Sequence, residues 1–334
     1  MPIVFQTPIS IDTAHAFAAF FTFSYVGSLY VSKNARLSFK KKTVPKLKDG
    51  EQRAKERDER WRDDPEVIRA RLVAVGTSTV LSCGAVFLLI WENVGSGPGT
   101  FRIALESTLA RLGLFLDFSH RSPYAIVLPC LTAPALFLGP LFAEYLASAL
   151  PFQRRWSIRF SVLPIFATWQ GWRNYIVGPI TEEVVFRACT LAVYHLAGVS
   201  RNKMVFLSPL TFGAAHLHHA WDTFNRYGRT GAAARRALVS SVFQLAYTCM
   251  FGFHCAFLFL RTGSLIPPIV SHIFCNIMGI PQYGLHITHF PRRRTAIKFA
   301  YILGIAGYVY AMCNWTLADD SLYWPPLPRL FPRY

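Results

Sequence analysis

The sequence predicts an all-α fold, a polytopic transmembrane helical bundle of about eight spans. Of its 334 residues, 52% are hydrophobic and 16% are charged, and the mean hydropathy is +0.29. A soluble domain carries about 25% charged residues. Apolar runs near the roughly 20 residues that a helix needs to cross a bilayer recur along the chain. These runs are residues 11–31, 70–91, 125–149, 158–178, 183–200, 203–220, 239–260, 264–285 and 298–317.

The excess of basic residues predicts membrane orientation and lipid contact rather than nucleic-acid binding. The formal net charge is +17, but lysines and arginines gather in loops, as the positive-inside rule and attraction to anionic lipids require. Segment 32–69 holds the densest basic run, whereas residues 1–31 contain no lysine or arginine. We therefore expect segment 32–69 to be cytosolic and the N-terminus to lie on the other side of the membrane.

The distribution of polar residues predicts three parts of the chain. Residues 1–150 form N-terminal transmembrane helices around the basic cytosolic loop 32–69, and residues 151–320 form a second helical core. Residues 321–334 are a proline-rich tail. Most polar side chains capable of chemistry lie between residues 168 and 283, so the second part is predicted to hold the functional site.

Two adjacent carboxylates, Glu182 and Glu183, lie in a stretch that should be inside the membrane. A carboxylate at mid-helix costs roughly 2.5–3.5 kcal/mol on insertion scales, which favours a functional role. Glu183 and Arg187 are four residues apart and share a helical face, while Glu182 is rotated by about 100° from Glu183. Arg187 can therefore neutralise Glu183 and leave Glu182 in a wet cavity as a general base for water. The alternative is a buried ion pair that holds two helices together.

The second motif is Phe212-Gly-Ala-Ala-His216-Leu-His218-His219. Its small residues allow helices to approach closely, and His216 stands one turn after Phe212. A lone intramembrane histidine is most often a hydrogen-bonded packing residue, but three histidines in four positions favour a site. His218 and His219 also fit an interfacial position at the end of the apolar run.

The third motif is His272-Ile-Phe-Cys-Asn276, in which His272 and Asn276 share one helical face. Imidazole and carboxamide donors side by side are suited to an oxyanion hole for a tetrahedral intermediate. The alternative is a pair of interhelical hydrogen bonds, worth roughly 0.6 kcal/mol each. Together the three motifs supply a base, a histidine partner and an oxyanion-stabilising pair, which is typical of a hydrolase.

The three motifs and their surroundings resemble the eukaryotic type II CAAX prenyl endopeptidases (Ras-converting enzymes), within the broader ABI (CPBP) family of membrane glutamate proteases. That family's motifs are a double glutamate with arginine, a phenylalanine-x-x-x-histidine, and a histidine-x-x-x-asparagine or aspartate. All three occur here in that order, and the likeness covers about residues 165–285. The matching residues are Arg173-Asn174-Tyr175, Pro179, Thr181 to Cys189, Phe212 to Ala220, His272 and Asn276.

The resemblance implies an eight-helix fold in the endoplasmic reticulum membrane, with a conical, water-accessible cavity and a CAAX protease core at residues 151–320. The implied reaction removes the last three residues (aaX) from prenylated CAAX proteins such as small GTPases. By resemblance, Glu182 with His216 would activate water, and His272 with Asn276 would stabilise the oxyanion. The supporting residues would be Glu183 and Arg187. No cofactor, metal or nucleic acid is implied.

Two other functions remain open from the residues. Glu182, His216 and His272 are also the two histidines and one carboxylate of a catalytic zinc site, although the usual His-Glu-x-x-His helix is absent. A transporter or scaffold also retains intramembrane carboxylates and histidines, but a transporter favours repeated halves, and the sequence shows none. Chelator sensitivity and the effect of Glu182→Gln separate these functions.

The cysteines favour packing over chemistry. Seven are present, they show no metal-type spacing, and most lie among apolar residues. We therefore interpret them as small buried hydrophobes. This includes Cys189, because a thiolate nucleophile requires an electropositive and partly hydrated setting.

Overall fold

The computed structural model describes residues 9–44, 47–48, 50–114, 123–318 and 321–324, and this part of the chain is predominantly helical. Within it, the sole β pairing is an antiparallel bridge between Ser38 and Arg60. The α-helices are α1 (Ile11–Val31), α2 (Pro65–Val94), α3 (Thr100–Arg111), α4 (Pro123–Cys130), α5 (Thr132–Leu136), α6 (Leu138–Leu146), α7 (Leu163–Ala167), α8 (Trp169–Gly171), α9 (Gly178–Glu183), α10 (Thr190–Leu196), α11 (Arg201–Ala215), α12 (His219–Arg226), α13 (Gly231–Thr262), α14 (Ile266–Met278), α15 (Tyr283–His289) and α16 (Arg294–Asn314). The π-helical turns are π1 (Ile158–Val162), π2 (Trp172–Val177) and π3 (Val184–Cys189), and a 3₁₀ turn spans Pro291–Arg293. The all-α class is confirmed.

Four helical segments of the described chain are long and apolar enough to cross a membrane. They are Ile11–Val31, Pro65–Val94, Gly231–Thr262 and Pro291–Asn314, and shorter apolar helices occur at Ile158–Ala167 and Ile266–Met278. The protein is therefore a polytopic helical membrane protein. The count of about eight spans stays a prediction.

Prolines divide the apolar run 125–149, which the sequence analysis treats as one stretch. A proline has no N–H and cannot donate to the carbonyl four residues before it. Pro134 therefore leaves the carbonyl of Cys130 without a helical donor, and α4 ends at Cys130. Pro140 does the same for Leu136, where α5 ends. Three short helices result where hydropathy alone predicts a single one.

The first two long helices begin and end at residues typical of helix boundaries. Ser10 precedes α1, and its side chain accepts a hydrogen bond from the N–H of Thr13 at 3.0 Å. Asp64 precedes α2, with Pro65 at the first helical position. Gly95 ends α2 with a φ of +87°, a conformation that favours glycine. The start of α2 at Pro65 therefore closes segment 32–64.

The chain forms two compact units. The C-terminal unit contains Leu109–Glu183 and Phe257–Tyr334, and the N-terminal unit contains Ile3–Thr108 and Val184–Ala256. The predicted division at residues 150 and 320 stays a prediction. Of the predicted tail, residues 325–334 lie outside the described chain.

Close helix packing in the C-terminal unit places α14 beside α9. Helix α14 packs against α4, α5, α9 and π2, and α16 packs against α5 and α6. The rings of Phe137 and Phe274 meet edge to face, with centroids 5.4 Å apart. At Gly139 an added Cβ would lie 2.3 Å from the Tyr301 ring, so only glycine permits this approach of α16. The acidic residues at the end of α9 consequently face a helix held firmly by its neighbours.

An aromatic core organises the N-terminal unit. Helix α1 packs against α2, α10, α11 and π3. The ring of Phe186 lies 5.3 Å from that of Tyr25 and 5.4 Å from that of Phe212. Phe186 and Phe212 are buried. This core fixes π3 and α11, the two elements that carry the arginine and histidine motifs.

Candidate active site

Helix α9 carries the two glutamates between two π-helical turns. π-Helical turns are rare and are frequent at functional sites, and here π2 precedes α9 while π3 follows it. At Gly178 an added Cβ would lie 2.2 Å from the carbonyl oxygen of Arg173, so the junction of π2 and α9 requires glycine. The side chain of Glu182 is 23% exposed, whereas that of Glu183 is fully buried. The adjacent carboxylates therefore have different environments.

His272 lies between these two carboxylates. Its Nδ1 is 2.7 Å from Oε1 of Glu183, and its Nε2 is 3.7 Å from Oε2 of Glu182. The first distance is a hydrogen bond, and the second is longer than one. When Glu183 is ionised, Nδ1 donates this hydrogen bond, because an ionised carboxylate only accepts. The hydrogen bond to Glu183 therefore fixes the ring so that Nε2 faces Glu182.

Asn276 lies one turn after His272 and completes this group. Its Nδ2 donates to the backbone carbonyl of Asn174 at 2.8 Å. A carboxamide has two N–H donors, so one remains for a ligand. Asn174 belongs to π2, and its role as an anchor for Asn276 was not predicted. The signal available was its place in the Arg-Asn-Tyr string before the double glutamate.

The N-terminal unit holds the other two predicted site residues against one aromatic ring. Arg187, in π3, is fully buried, and its guanidinium carbon lies 4.2 Å from the centroid of the Phe212 ring. That distance is a cation–π contact. The His216 ring meets the same Phe212 ring edge to face at 4.7 Å. Phe212 thus orients both an arginine and a histidine of the family motifs.

A hydrogen bond to the backbone also fixes the tautomer of His216. Its Nδ1 lies 2.8 Å from the carbonyl oxygen of Phe212. A carbonyl only accepts, so Nδ1 carries the proton and Nε2 of the neutral ring is an acceptor. His218 is held similarly, with Nδ1 2.7 Å from the carbonyl of Ala215. His219 is the first residue of α12.

Segment 32–64 contributes a buried ion pair that the sequence analysis did not predict. Arg53 binds both carboxylate oxygens of Glu59, at 2.6 and 2.9 Å, and the two side chains are 2% and 1% exposed. Burial alone would raise the pKa of Glu59. Hydrogen bonds from Arg53 and from the backbone N–H groups of Lys40 and Glu56 instead lower this pKa to about 2.

The same segment is bonded to helix α12, which follows the histidine motif. Arg53 donates from Nε to the carbonyl of Asn225 at 2.9 Å. Arg226 binds Asp222 and Asp63, each at 2.9 Å, and lies over the Trp61 ring at 4.8 Å. Segment 32–64 is therefore a folded support for the end of the histidine motif, in addition to a basic loop.

The remaining predictions about this region have mixed outcomes. Cys189 is fully buried, and its sulfur lies 3.9 Å from that of Cys83, which agrees with a packing role. Among the described residues, no three His, Cys, Asp or Glu side chains form a group suited to a metal ion, and independence of a metal stays a prediction. Joint action of Glu182 and His216, and pairing of Glu183 with Arg187, stay predictions.

Comparison with known proteins identifies the family. Residues 164–278 match the family described as Type II CAAX prenyl endopeptidase Rce1-like. The "Probable CAAX prenyl protease 2" of Schizosaccharomyces pombe is 30% identical over 314 residues, covering 94% of this chain and 96% of that protein. The chain belongs to this family. The resemblance seen in the motifs is thereby confirmed.

Further relatives have similar printed names. The human "CAAX prenyl protease 2" is 33% identical over 308 residues, covering 90% of this chain and 79% of that protein. The protein of that name from Arabidopsis thaliana is 38% identical over 153 residues, 46% of each chain. No solved structure matches the chain. The segment that matches the CAAX prenyl endopeptidase family contains all the predicted site residues.

Proposed function

We propose that this protein is a membrane endopeptidase that removes the C-terminal aaX tripeptide from prenylated CAAX proteins, small GTPases among them. Membership of the CAAX prenyl endopeptidase family supports the substrate class. One observation carries the chemistry. His272 is bonded at Nδ1 to the buried Glu183 and presents Nε2 3.7 Å from Glu182, the more exposed carboxylate.

The first step is activation of water by Glu182. A gap of 3.7 Å between Nε2 of His272 and Oε2 of Glu182 exceeds a direct hydrogen bond and suits a water that contacts both groups. Glu182 takes a proton from this water, and the oxygen attacks the carbonyl carbon of the prenylated cysteine. The family motif assigns His216 to the same step, and its Nε2 is the acceptor that the step requires.

The second step is stabilisation of the oxyanion and departure of the tripeptide. His272 donates from Nε2, and Asn276 donates its second amide hydrogen. The C–N bond then breaks, its electron pair moves to nitrogen, and the nitrogen takes the proton from Glu182. The products are a prenylcysteine carboxylate and a free tripeptide. Water is the sole co-reactant.

The membrane setting explains how such a substrate arrives. A buried lipid chain contributes about 0.8 kcal/mol per methylene, so the prenyl group brings the peptide into the bilayer. We propose that the protein lies in the endoplasmic reticulum membrane with segment 32–69 in the cytosol, since the positive-inside rule favours that orientation. Lateral entry from the lipid then delivers the CAAX end to a water-accessible cavity.

Cleavage of a farnesylated CAAX peptide by purified protein tests this function. Wild type is compared with Glu182→Gln, with Glu144→Gln as the matched control, because Glu144 is another acidic residue among the apolar runs. We expect tripeptide release by wild type and Glu144→Gln, with and without a chelator, and none by Glu182→Gln. Release abolished by the chelator would instead make Glu182 a zinc ligand. No release by a folded wild type would contradict the proposal.

A further inference from the structure

A groove between α1 and α2 is lined by none of the residues of the proposed chemistry. Its volume is about 1050 Å³, which is at the upper end of ligand sites, roughly 300–1,000 Å³. Its walls include Gly27 on α1 and Val73, Ala74 and Leu81 on α2. The groove belongs wholly to the N-terminal unit.

One end of the groove is polar, and it lies where both helices reach segment 32–64. Asn34 follows the end of α1, while Glu66 and Arg69 lie in the first turns of α2. From Arg69 to Leu81 the helix rises by about 18 Å at 1.5 Å per residue. One leaflet of a hydrocarbon core is about 15 Å deep. The length of the groove therefore matches the depth of a single leaflet.

Three serine hydroxyls in the walls are bonded within the protein. Ser24 donates to the carbonyl of Phe21 at 3.2 Å, and Ser28 donates to that of Tyr25 at 2.7 Å. Ser78 donates to the hydroxyl of Ser24 at 3.2 Å. These serines therefore have their donors satisfied, and the surface below the polar end is mainly apolar.

The charges at the polar end match a zwitterionic headgroup. Glu66 and Arg69 are three residues apart and therefore neighbours on one helical face, and both side chains line the groove. They are the one anion and the one cation among its lining residues. Arg69 suits a phosphate, and Glu66 suits an ammonium group. An acidic headgroup without an amine would meet the carboxylate of Glu66 with no compensating charge.

We propose that this groove binds one amine-bearing glycerophospholipid, of the phosphatidylethanolamine type. The lipid comes from the leaflet that is next to segment 32–64. Its phosphate contacts Arg69, its ammonium contacts Glu66, and an acyl chain lies along Gly27, Ala74 and Leu81. The bound lipid fills the space between α1 and α2. The prenyl chain of a substrate is the competing occupant.

Lipid retention measured by native mass spectrometry tests this site without reference to proteolysis. Purified protein is incubated with phosphatidylethanolamine, phosphatidylglycerol or a farnesylated cysteine peptide. Gly27→Leu fills the groove without collision, because an added Cβ there meets nothing within 4 Å. Gly76→Leu is its matched control, since Gly76 is equally open but does not line the groove. Arg69→Gln tests the phosphate contact. Lys33→Gln is its control, because Lys33 is a basic residue of the neighbouring loop that does not line the groove.

We expect wild type, Gly76→Leu and Lys33→Gln to retain one phosphatidylethanolamine. Gly27→Leu should weaken retention by about tenfold, the equivalent of roughly two displaced methylenes. Arg69→Gln should weaken retention of phosphatidylethanolamine by a similar factor, because it removes the phosphate contact. Equal retention by all variants would overturn the proposal, as would displacement of the phospholipid by the farnesylated peptide. If Gly27→Leu does not fold, Arg69→Gln against Lys33→Gln decides the question.

Discussion

Glu183 holds His272 through a hydrogen bond of 2.7 Å between Oε1 and Nδ1, while Glu182, the adjacent residue, is 3.7 Å from the opposite ring nitrogen. The histidine is thus oriented by a fully buried carboxylate and directed toward a partly exposed one. Two neighbouring residues of one helix therefore have different tasks. Glu183 positions the imidazole, and Glu182 lies on the side where the reaction is proposed to occur.

Replacing Glu183 by glutamine should separate positioning from substrate binding. The amide oxygen can still accept from Nδ1 but lacks the negative charge with which a carboxylate polarises the ring of His272. We expect kcat to fall by about 10²- to 10⁴-fold with KM nearly unchanged, as when a histidine loses its orienting carboxylate. Steady-state cleavage of a farnesylated peptide measures both constants. A change confined to KM would show that Glu183 does not act through His272.

Replacing Asn276 by alanine tests the oxyanion role. Loss of one preorganised donor typically lowers kcat by about 10²- to 10³-fold, and we expect that range with little change in KM. Asn314→Ala is the control, since Asn314 also donates from a helix to a backbone carbonyl, that of Tyr310 at 2.9 Å. Equal activities of the two variants would remove Asn276 from the chemistry.

Replacing Gly178 by alanine tests whether the junction of π2 and α9 sets the position of the glutamates. The added Cβ would lie 2.2 Å from the carbonyl oxygen of Arg173, so the backbone must move. Overpacking of this kind costs about 1–3 kcal/mol, and we expect reduced thermal stability together with reduced kcat. Gly284→Ala is the control, because a Cβ at Gly284 meets nothing within 4 Å. A fully active Gly178→Ala variant would contradict this role.

The helical class could be predicted from sequence because apolar runs of bilayer length are unusual in soluble proteins. The boundaries of the short helices within run 125–149 could not be predicted from hydropathy alone. Pro134 and Pro140 leave the hydropathy of their run unchanged, yet each removes one backbone donor, and the helices end at Cys130 and Leu136. Hydropathy measures transfer to lipid and does not include the loss of a single hydrogen bond.

The site residues could be predicted as groups, but the contact between Glu183 and His272 could not. Spacing within one helix places Glu183 and Arg187 on the same face, and their pairing stays a prediction. The hydrogen bond between Glu183 and His272 joins residues 89 positions apart in the chain. Helical periodicity contains no information about which helices pack together. The family motifs compensate, since they associate these distant residues without explaining the contact.

For the charged residues of segment 32–64, the sequence likewise does not show which distant groups they contact. Mixed charges such as Arg53 and Glu59 are usually solvated, and the charge pattern of this segment predicts a basic loop on the cytosolic side of the membrane. Burial of both side chains depends on the carbonyl of Asn225, which accepts from Arg53 at 2.9 Å. A distant backbone acceptor leaves no trace in the local pattern.

The Arg53–Glu59 pair should make stability depend on pH in a defined window. The pKa of Glu59 is lowered to about 2 in the folded protein, from about 4.3 in an unfolded chain. The stability it contributes is therefore fully present above about pH 5 and is lost as the pH falls toward 2. Thermal unfolding of the purified protein in detergent between pH 7 and pH 2.5 measures this loss.

The variant Glu59→Gln isolates that contribution, because it should be less stable at pH 7 and should lack this part of the pH dependence. Removing one partner of a buried ion pair costs about 3–5 kcal/mol. Asp58→Asn is the matched control, since Asp58 pairs with Lys40 at 3.2 Å while both side chains are largely exposed, and such pairs contribute about 0–1 kcal/mol. The difference between wild type and Glu59→Gln should shrink as the pH falls below 4. A difference that stays constant down to pH 2.5 would show that Glu59 stabilises the segment through packing and not through its charge.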